Sequence, residues 1–245
     1  MENQIIKIFD NPEQASEFAA SLIVTSSDEA IKQRNKFDFV LTGGSSPLKL
    51  YKLLAEAPTK NKINWQKTHI FWGDERFVPF ESDLSNTRMA FEMLLDHLEI
   101  PSSNIHIMDT SVVDVETSAR EYEKVIKEIA DKTMMPTLDL ILLGIGDDGH
   151  TASLFPGTDV VHENEKLVAT SYNAQQKTKR ITLTAPLINE ARLIVPMVFG
   201  KNKVETLKEV IEGEYNPDLY PAQLLRKAKG KVYWLLDKDA ASLLS

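Results

Sequence analysis

Short apolar runs of strand-forming residues alternate with stretches of helical periodicity along the whole chain. The predicted strands are 5–9, 37–42, 69–72, 138–143, 180–184, 193–199 and 232–236. Helices are predicted from Pro12, with Asn11 as the capping residue, from near Pro47, and over 86–98, 118–132 and 203–211. Such alternation predicts a mostly parallel sheet with helices on both faces. Because no break in composition interrupts it, we expect residues 1–245 to form one doubly wound, Rossmann-like α/β domain.

The charge and composition of the chain limit its possible partners. Lys and Arg number 28 against 36 Asp and Glu, which leaves a net charge of -8. An acidic surface disfavours nucleic acid and anionic membranes, since both attract basic patches. The absence of cysteine excludes disulfides, thiolate nucleophiles and cysteine-based zinc sites. Residues 1–9 lack the regions of a signal peptide, and no apolar run reaches the roughly 20 residues of a membrane span. We therefore expect a cytoplasmic protein.

The strand predicted over 37–42 runs directly into a loop of small residues, Gly43, Gly44, Ser45 and Ser46, followed by Pro47. Free backbone N–H groups at a helix start, together with two hydroxyls, form an anion site. The loop is neither a Walker A motif nor a nucleophile elbow, because the lysine and the flanking glycines of those motifs are missing. A strand-to-helix turn that merely needs small residues is the alternative interpretation.

The strand predicted over 69–72 ends at Gly73, and Asp74, Glu75 and Arg76 follow it. Such a run is common in surface loops. Its position at the end of a strand indicates a ligand site, because ligands of open α/β sheets bind beyond the carboxyl ends of the strands. Asp74 and Arg76 are therefore candidate site residues.

Residues 144–157, which read GIGDDGHTASLFPG, follow the apolar run 138–143. The glycines fit the dinucleotide-binding pattern, but Asp147 and Asp148 lie inside the turn, where they would repel a pyrophosphate. Gly146 instead lets a substrate approach the backbone, and His150 can exchange a proton near neutral pH. We predict that His150 is catalytic, with Asp148 beside it.

Two cations near strand ends are candidates for neutralising an anionic ligand. Arg180 begins a predicted strand, and Lys203 follows the strand over 193–199. Lys201 is interpreted as a solvated surface residue. The remaining histidines are expected to be structural or exposed: His69, His97, His106 and His162.

Together these segments resemble the glucosamine-6-phosphate isomerase/6-phosphogluconolactonase family, and within it the lactonase branch. The matching pieces are 42–47, 73–79 with 85–86 behind it, 144–156 and 180–184. The stretch DGHTASLFP is the most specific of them. In the deaminase branch a catalytic Glu precedes the proline, whereas this chain has Phe155 there. Ser46 departs from the commoner threonine but keeps the hydroxyl.

The resemblance implies hydrolysis of 6-phospho-D-glucono-1,5-lactone in the pentose phosphate pathway, without metal or cofactor. His150 would be the base, with Asp148 or Asp74 orienting its ring. The oxyanion would be stabilised by backbone N–H groups of the 144–149 turn or by Arg76. The phosphate would be held by the glycine–serine loop and two cations: Gly43, Gly44, Ser45, Ser46, Arg180 and Lys203. The expected protein is a monomer or small homo-oligomer. A deaminase or isomerase, and a non-catalytic sugar-phosphate sensor, remain the alternatives.

Overall fold

The computed structural model describes residues 3–130 and 135–245. Met1, Glu2 and the last residues of the helix predicted over 118–132 lie outside these ranges. In chain order the strands and helices are β1 (Gln4–Phe9), α1 (Pro12–Arg34), β2 (Phe37–Leu41), α2 (Leu48–Ala55), β3 (Thr68–Trp72), β4 (Asp74–Arg76), α3 (Asn86–Met93), α4 (Val115–Ile129), β5 (Leu140–Gly144), β6 (Val168–Asn173), β7 (Thr178–Leu183), α5 (Ala185–Glu190), β8 (Leu193–Val198), α6 (Val204–Ile211) and β9 (Lys231–Asp237).

Six parallel strands form the main sheet, in the order β1-β9-β8-β5-β2-β3. Every residue of β2 is buried, and β5 is buried except at its last residue, as expected for strands covered on both sides. The predicted mostly parallel α/β domain is confirmed. Strands β2 and β5 are neighbours, but the chain proceeds from β2 to β3 on one side and from β5 to β8 on the other. The loops after β2 and β5 therefore diverge and leave a crevice for a ligand.

A second sheet of three antiparallel strands, β4-β7-β6, was not predicted from the sequence. Strand β4 consists of three charged residues that read as a loop, and the half-exposed β6 lacks a continuous apolar run. The strand predicted over 180–184 belongs to this sheet and begins earlier, at Thr178. Arg180 therefore lies inside a strand and not at its start. In the register of β4 and β7, Arg180 is the direct partner of Arg76.

Helix boundaries follow local chemistry. The Asn11 side chain accepts a hydrogen bond of 2.9 Å from the Gln14 amide, and Pro12 takes the first helical position, as predicted. Helix α4 starts earlier than predicted because Asp114 caps it, accepting from the Thr117 amide at 2.6 Å. Helix α3 ends at Met93, short of the predicted 98, and a 3₁₀ turn follows. In the described ranges, no helix combines the length and the apolar character that a bilayer span requires.

Candidate active site

A cavity of about 590 Å³, here called the main cavity, opens where β2, β3, β5 and β8 end. It brings together segments that lie far apart in the sequence. Every predicted site residue except Asp148 lines it: Gly43, Gly44, Ser45, Ser46, Asp74, Arg76, Gly146, His150, Arg180 and Lys203. The crevice expected at the divergence of β2 and β5 is therefore the one that gathers these residues.

The His150 ring is hydrogen-bonded to the carboxylate of Asp148. Its Nδ1 lies 2.5 Å from Oδ1 of Asp148, which also accepts from the His150 backbone amide at 3.1 Å. Burial raises the pKa of Asp148, but the hydrogen bonds and charge of His150 outweigh burial and leave that pKa lowered. The carboxylate is therefore ionised at neutral pH and accepts a hydrogen bond from Nδ1–H. In the neutral ring Nε2 is then the nitrogen with a free lone pair.

Two glycines of the 144–149 turn are required because neighbouring side chains pack closely against the turn. A β-carbon on Gly146 would lie 2.0 Å from Nδ1 of His150, so only glycine fits there. Gly149 has a φ of +80°, and a β-carbon on it would meet the Tyr220 ring at 2.8 Å. The Gly146 amide donates to the His150 carbonyl at 2.8 Å, and the Gly149 amide donates to the Gly146 carbonyl at 3.1 Å. The glycine pattern that resembles a dinucleotide-binding fingerprint thus forms a tight turn that packs against the His150 ring.

Asp74 is fixed by partners other than His150. The Ser153 hydroxyl donates to Asp74 Oδ2 at 2.6 Å, and the Asn86 amide donates to Oδ1 at 3.3 Å and to the Asp74 carbonyl at 3.0 Å. Of the two carboxylates predicted to orient the imidazole, only Asp148 contacts it among the described residues. Sequence reasoning gave Ser153 and Asn86 no role, although both lie in the matching motifs. A β-carbon on Gly43 would collide with Asn86 at 2.0 Å, which explains that glycine.

Two guanidinium groups lie side by side on β4 and β7. Arg180 is buried, and burial followed by the charge of Arg76 lowers its pKa to about 10. Its Nη2 donates to the Gln176 side chain. Among the described residues, the buried Nε of Arg76 and that of Arg180 have no hydrogen-bond partner. Facing guanidinium groups with unused donors are arranged to bind an anion.

Phe155 lies between the histidine and this pair of arginines. Its ring centroid is 4.7 Å from that of His150 and 5.9 Å from Cζ of Arg180. The side chain is buried and lines the main cavity. The position before Pro156 is thus filled by an apolar ring packed against the histidine.

Lys203 ends the 3₁₀ turn after β8, and its ammonium group forms an ion pair with Asp147.

On the other side of the cavity, the loop after β2 is fixed by Tyr51. The Tyr51 hydroxyl accepts from the Thr42 amide at 3.0 Å and donates to the Thr42 carbonyl at 2.8 Å. Gly44 has a φ of +81°, and α2 begins one residue after Pro47. Lys201 is exposed, as predicted.

The other histidines have structural or surface positions. His69 and His106 stack and share a hydrogen bond of 3.0 Å between their rings. His97 contacts the Glu92 carbonyl, and the exposed His162 pairs with Asp218. Within residues 3–130 and 135–245, no three histidine, aspartate or glutamate side chains converge as metal ligands would.

Known proteins resemble the chain over nearly its full length. Residues 10–234 match the family described as glucosamine-6-phosphate isomerases/6-phosphogluconolactonase. A 6-phosphogluconolactonase from Synechocystis sp. is 38% identical over 241 residues, which cover 98% of each chain. A solved 6-phosphogluconolactonase from Trypanosoma brucei has a TM-score of 0.88 at 28% identity, with 99% of both chains covered.

The same fold also occurs with another chemistry. A solved monomeric glucosamine-6-phosphate deaminase has a TM-score of 0.83 at 23% identity and covers 98% of this chain and 99% of its own. The fold alone does not choose between the two activities, so the choice depends on the residues of the main cavity.

Proposed function

We propose that this chain, which belongs to the glucosamine-6-phosphate isomerase/6-phosphogluconolactonase family, hydrolyses 6-phospho-D-glucono-1,5-lactone to 6-phosphogluconate. This reaction is a step of the pentose phosphate pathway. One observation carries the proposal: His150, hydrogen-bonded to Asp148, lines the same cavity as the cations Arg76, Arg180 and Lys203. A lactone that carries a phosphate requires both a base and an anion site. The main cavity offers the two together.

His150 acts as the general base. Asp148 keeps the ring proton on Nδ1, so Nε2 accepts a proton from water while the water oxygen bonds to the lactone carbonyl carbon. The carbonyl electron pair moves to its oxygen and gives a tetrahedral oxyanion. On collapse, the bond from this carbon to the ring oxygen breaks, and Nε2 returns its proton to that oxygen. Asp148 stays ionised throughout and stabilises the imidazolium.

We assign stabilisation of the oxyanion to Arg76. The amides of Gly146 and Gly149, two of the backbone donors considered for this role, are engaged within their own turn. Arg76 lines the cavity, and its buried Nε–H has no partner among the described residues. A donor already in place requires no reorganisation as charge develops on the oxygen, and removing one such donor typically costs about 10²–10³ in kcat.

We assign the phosphate to Arg180, Lys203 and the loop after β2. In a chain with a net charge of -8, positive potential must be local. Arg180 has an unused buried donor, and Lys203 reaches the same cavity. The hydroxyls of Ser45 and Ser46, with the amides of Gly43 and Gly44 before α2, add neutral donors. Arg180 and Lys203 provide positive charge, and the hydrogen-bond donors of the loop orient the phosphate.

Phe155 favours lactone hydrolysis over deamination. Deamination with isomerisation needs further acid–base groups for ring opening and for proton transfer between sugar carbons. At the position of the deaminase carboxylate this chain has a phenyl ring, 4.7 Å from the imidazole. Asp74 cannot replace that carboxylate freely, because Ser153 and Asn86 hold it. The remaining His150–Asp148 pair is sufficient for hydrolysis of an ester.

The test is a comparison of two reactions with the purified protein. It should accelerate the loss of freshly made 6-phosphogluconolactone above the spontaneous rate, in the presence of a chelator. It should release no ammonia from glucosamine 6-phosphate. Robust deamination without lactonase activity would overturn the assignment, and the absence of both activities with intact phosphosugar binding would favour the sensor.

The proposal includes a cytoplasmic location and a monomer or small homo-oligomer that binds a sugar-phosphate lactone and no nucleic acid. The acidic net charge supports the last point, since nucleic-acid affinity depends on basic surfaces. Cell fractionation and light scattering of the purified protein test the location and the oligomeric state.

A further inference from the structure

The ammonium group of Lys203 already has a carboxylate partner. It forms an ion pair with Oδ1 of Asp147, and both residues line the main cavity. The Lys203 side chain is 18% exposed and that of Asp147 is 67% exposed. The cation is therefore largely enclosed, while the carboxylate lies at the solvent side of the same site. Any anion that reaches Lys203 does so beside this negative charge.

Asp147 is held in this position by contacts that do not involve Lys203. The Asn202 side-chain amide donates to Asp147 Oδ1 at 2.9 Å, and the Thr206 hydroxyl donates to the Asp147 carbonyl at 2.6 Å. These contacts join the 144–149 turn to the start of α6. The carboxylate is thus fixed next to the ammonium group by its surroundings as well as by the opposite charge.

We propose that Asp147 is an internal competitor for phosphate at Lys203 and so lowers the affinity of this end of the cavity for anions. The inference rests on the proposed function, since it takes Lys203 as part of the phosphate site. A ligand with one negative charge only replaces one monoanion by another at Lys203. A phosphate dianion attracts the ammonium more strongly and can displace or outweigh the carboxylate. Asp147 therefore lowers the affinity for any anion that takes its place at Lys203.

A purely positioning role would have the opposite consequence. If Asp147 served only to place Lys203, loss of its charge would weaken phosphate binding. Asp147→Asn separates the two cases, because asparagine keeps an acceptor for Asn202 and the backbone contact with Thr206 while it removes the charge.

The experiment is calorimetric titration of 6-phosphogluconate at fixed ionic strength. Asp147→Asn should bind about twofold to fivefold more tightly than the wild type, the range expected for loss of a partly exposed ion pair. Asp28→Asn is the matched control, because it makes the same change in an exposed residue of α1 outside the cavity lining. It should leave the Kd unchanged. Equal or weaker binding by Asp147→Asn overturns the proposal.

A double-mutant cycle tests whether the effect passes through Lys203. In a Lys203→Met background, Asp147→Asn should improve binding by a smaller factor than in the wild type. The same factor in both backgrounds would mean that Asp147 acts through long-range charge alone, and would overturn the proposal. If the wild type bound no 6-phosphogluconate and hydrolysed no lactone, the proposed function itself would fail. Normal activity and binding with no tightening in Asp147→Asn refutes only the role of Asp147.

Discussion

Nδ1 of His150 lies 2.5 Å from Oδ1 of Asp148, while Asp74, which lines the main cavity, accepts a hydrogen bond of 2.6 Å from Ser153. The two acids thus have different partners, and only Asp148 is in contact with the imidazole among the described residues. This arrangement fixes the proton of the ring on Nδ1 and leaves Nε2 for chemistry.

Gly146→Ala should lower kcat while substrate binding changes little. The new β-carbon would lie 2.0 Å from Nδ1 of His150, so the ring must move from Asp148. A small misplacement of a catalytic group can cost about 10²-fold in rate. Steady-state kinetics of this variant should be compared with Gly144→Ala, where a β-carbon would have nothing within 4 Å. Equal losses of kcat in the two alanine variants would contradict the explanation.

Arg180→Ala should lower kcat/KM for the phosphorylated lactone by about tenfold or more. A hydrogen bond to a charged group contributes roughly 1.5–3 kcal/mol, and Arg180 is assigned to the phosphate. The unphosphorylated gluconolactone should be a poor substrate for the wild type and should be affected far less. Lys203→Ala should show the same contrast. If Arg180→Ala loses activity equally on both substrates, with its circular dichroism unchanged, the arginine serves something other than phosphate.

Stability should fall as the pH drops from about 6.5 towards 4. Burial, followed by the charges of His69 and Lys36, lowers the pKa of His106 to about 4, and burial also lowers the pKa of His69. The unfolded chain, with histidines near their ordinary value of about 6.5, binds protons in this window that the native state does not. The stabilisation is complete above about 6.5 and is lost as the pH approaches 4.

Urea unfolding across this range checks the prediction. His106→Gln should flatten the dependence relative to the wild type, whereas His162→Gln, which alters an exposed histidine, should not. The comparison between variants matters, because carboxylates also titrate at the lower end of the range. A wild-type slope retained in His106→Gln would show that the histidine pair is not its source.

The main sheet was predictable because its inner parallel strands, such as β2 and β5, are buried on both sides and consist of apolar runs. The second sheet escaped prediction for a physical reason. Strand β4 has three charged residues, and its pairing with β7 joins segments about a hundred positions apart. No local periodicity reports such a pairing, so the facing of Arg76 and Arg180 could not be predicted.

In the candidate site, too, contacts between neighbouring residues were predictable and contacts between distant segments were not. The glycines, Asp148 and His150 lie within one turn, so their chemistry is readable from adjacent residues. The hydrogen bond from Ser153 to Asp74 spans 79 positions, and the ion pair between Lys203 and Asp147 spans 56. All but one of the site residues predicted from the sequence line the cavity, but the sequence offered no means of pairing them. For that reason it left open which carboxylate orients the histidine.

A kinetic double-mutant cycle on His150 and Asp148 tests whether the imidazole is the general base. His150→Ala should lower kcat by about 10²–10⁴-fold, the usual contribution of a general base, while 6-phosphogluconate still binds. Asp148→Asn should lower kcat less. The double variant should be no slower than His150→Ala, because Asp148 acts through the imidazole. A His150→Ala enzyme near wild-type activity beside an inactive Asp148→Asn, or losses that multiply in the double variant, would contradict this account.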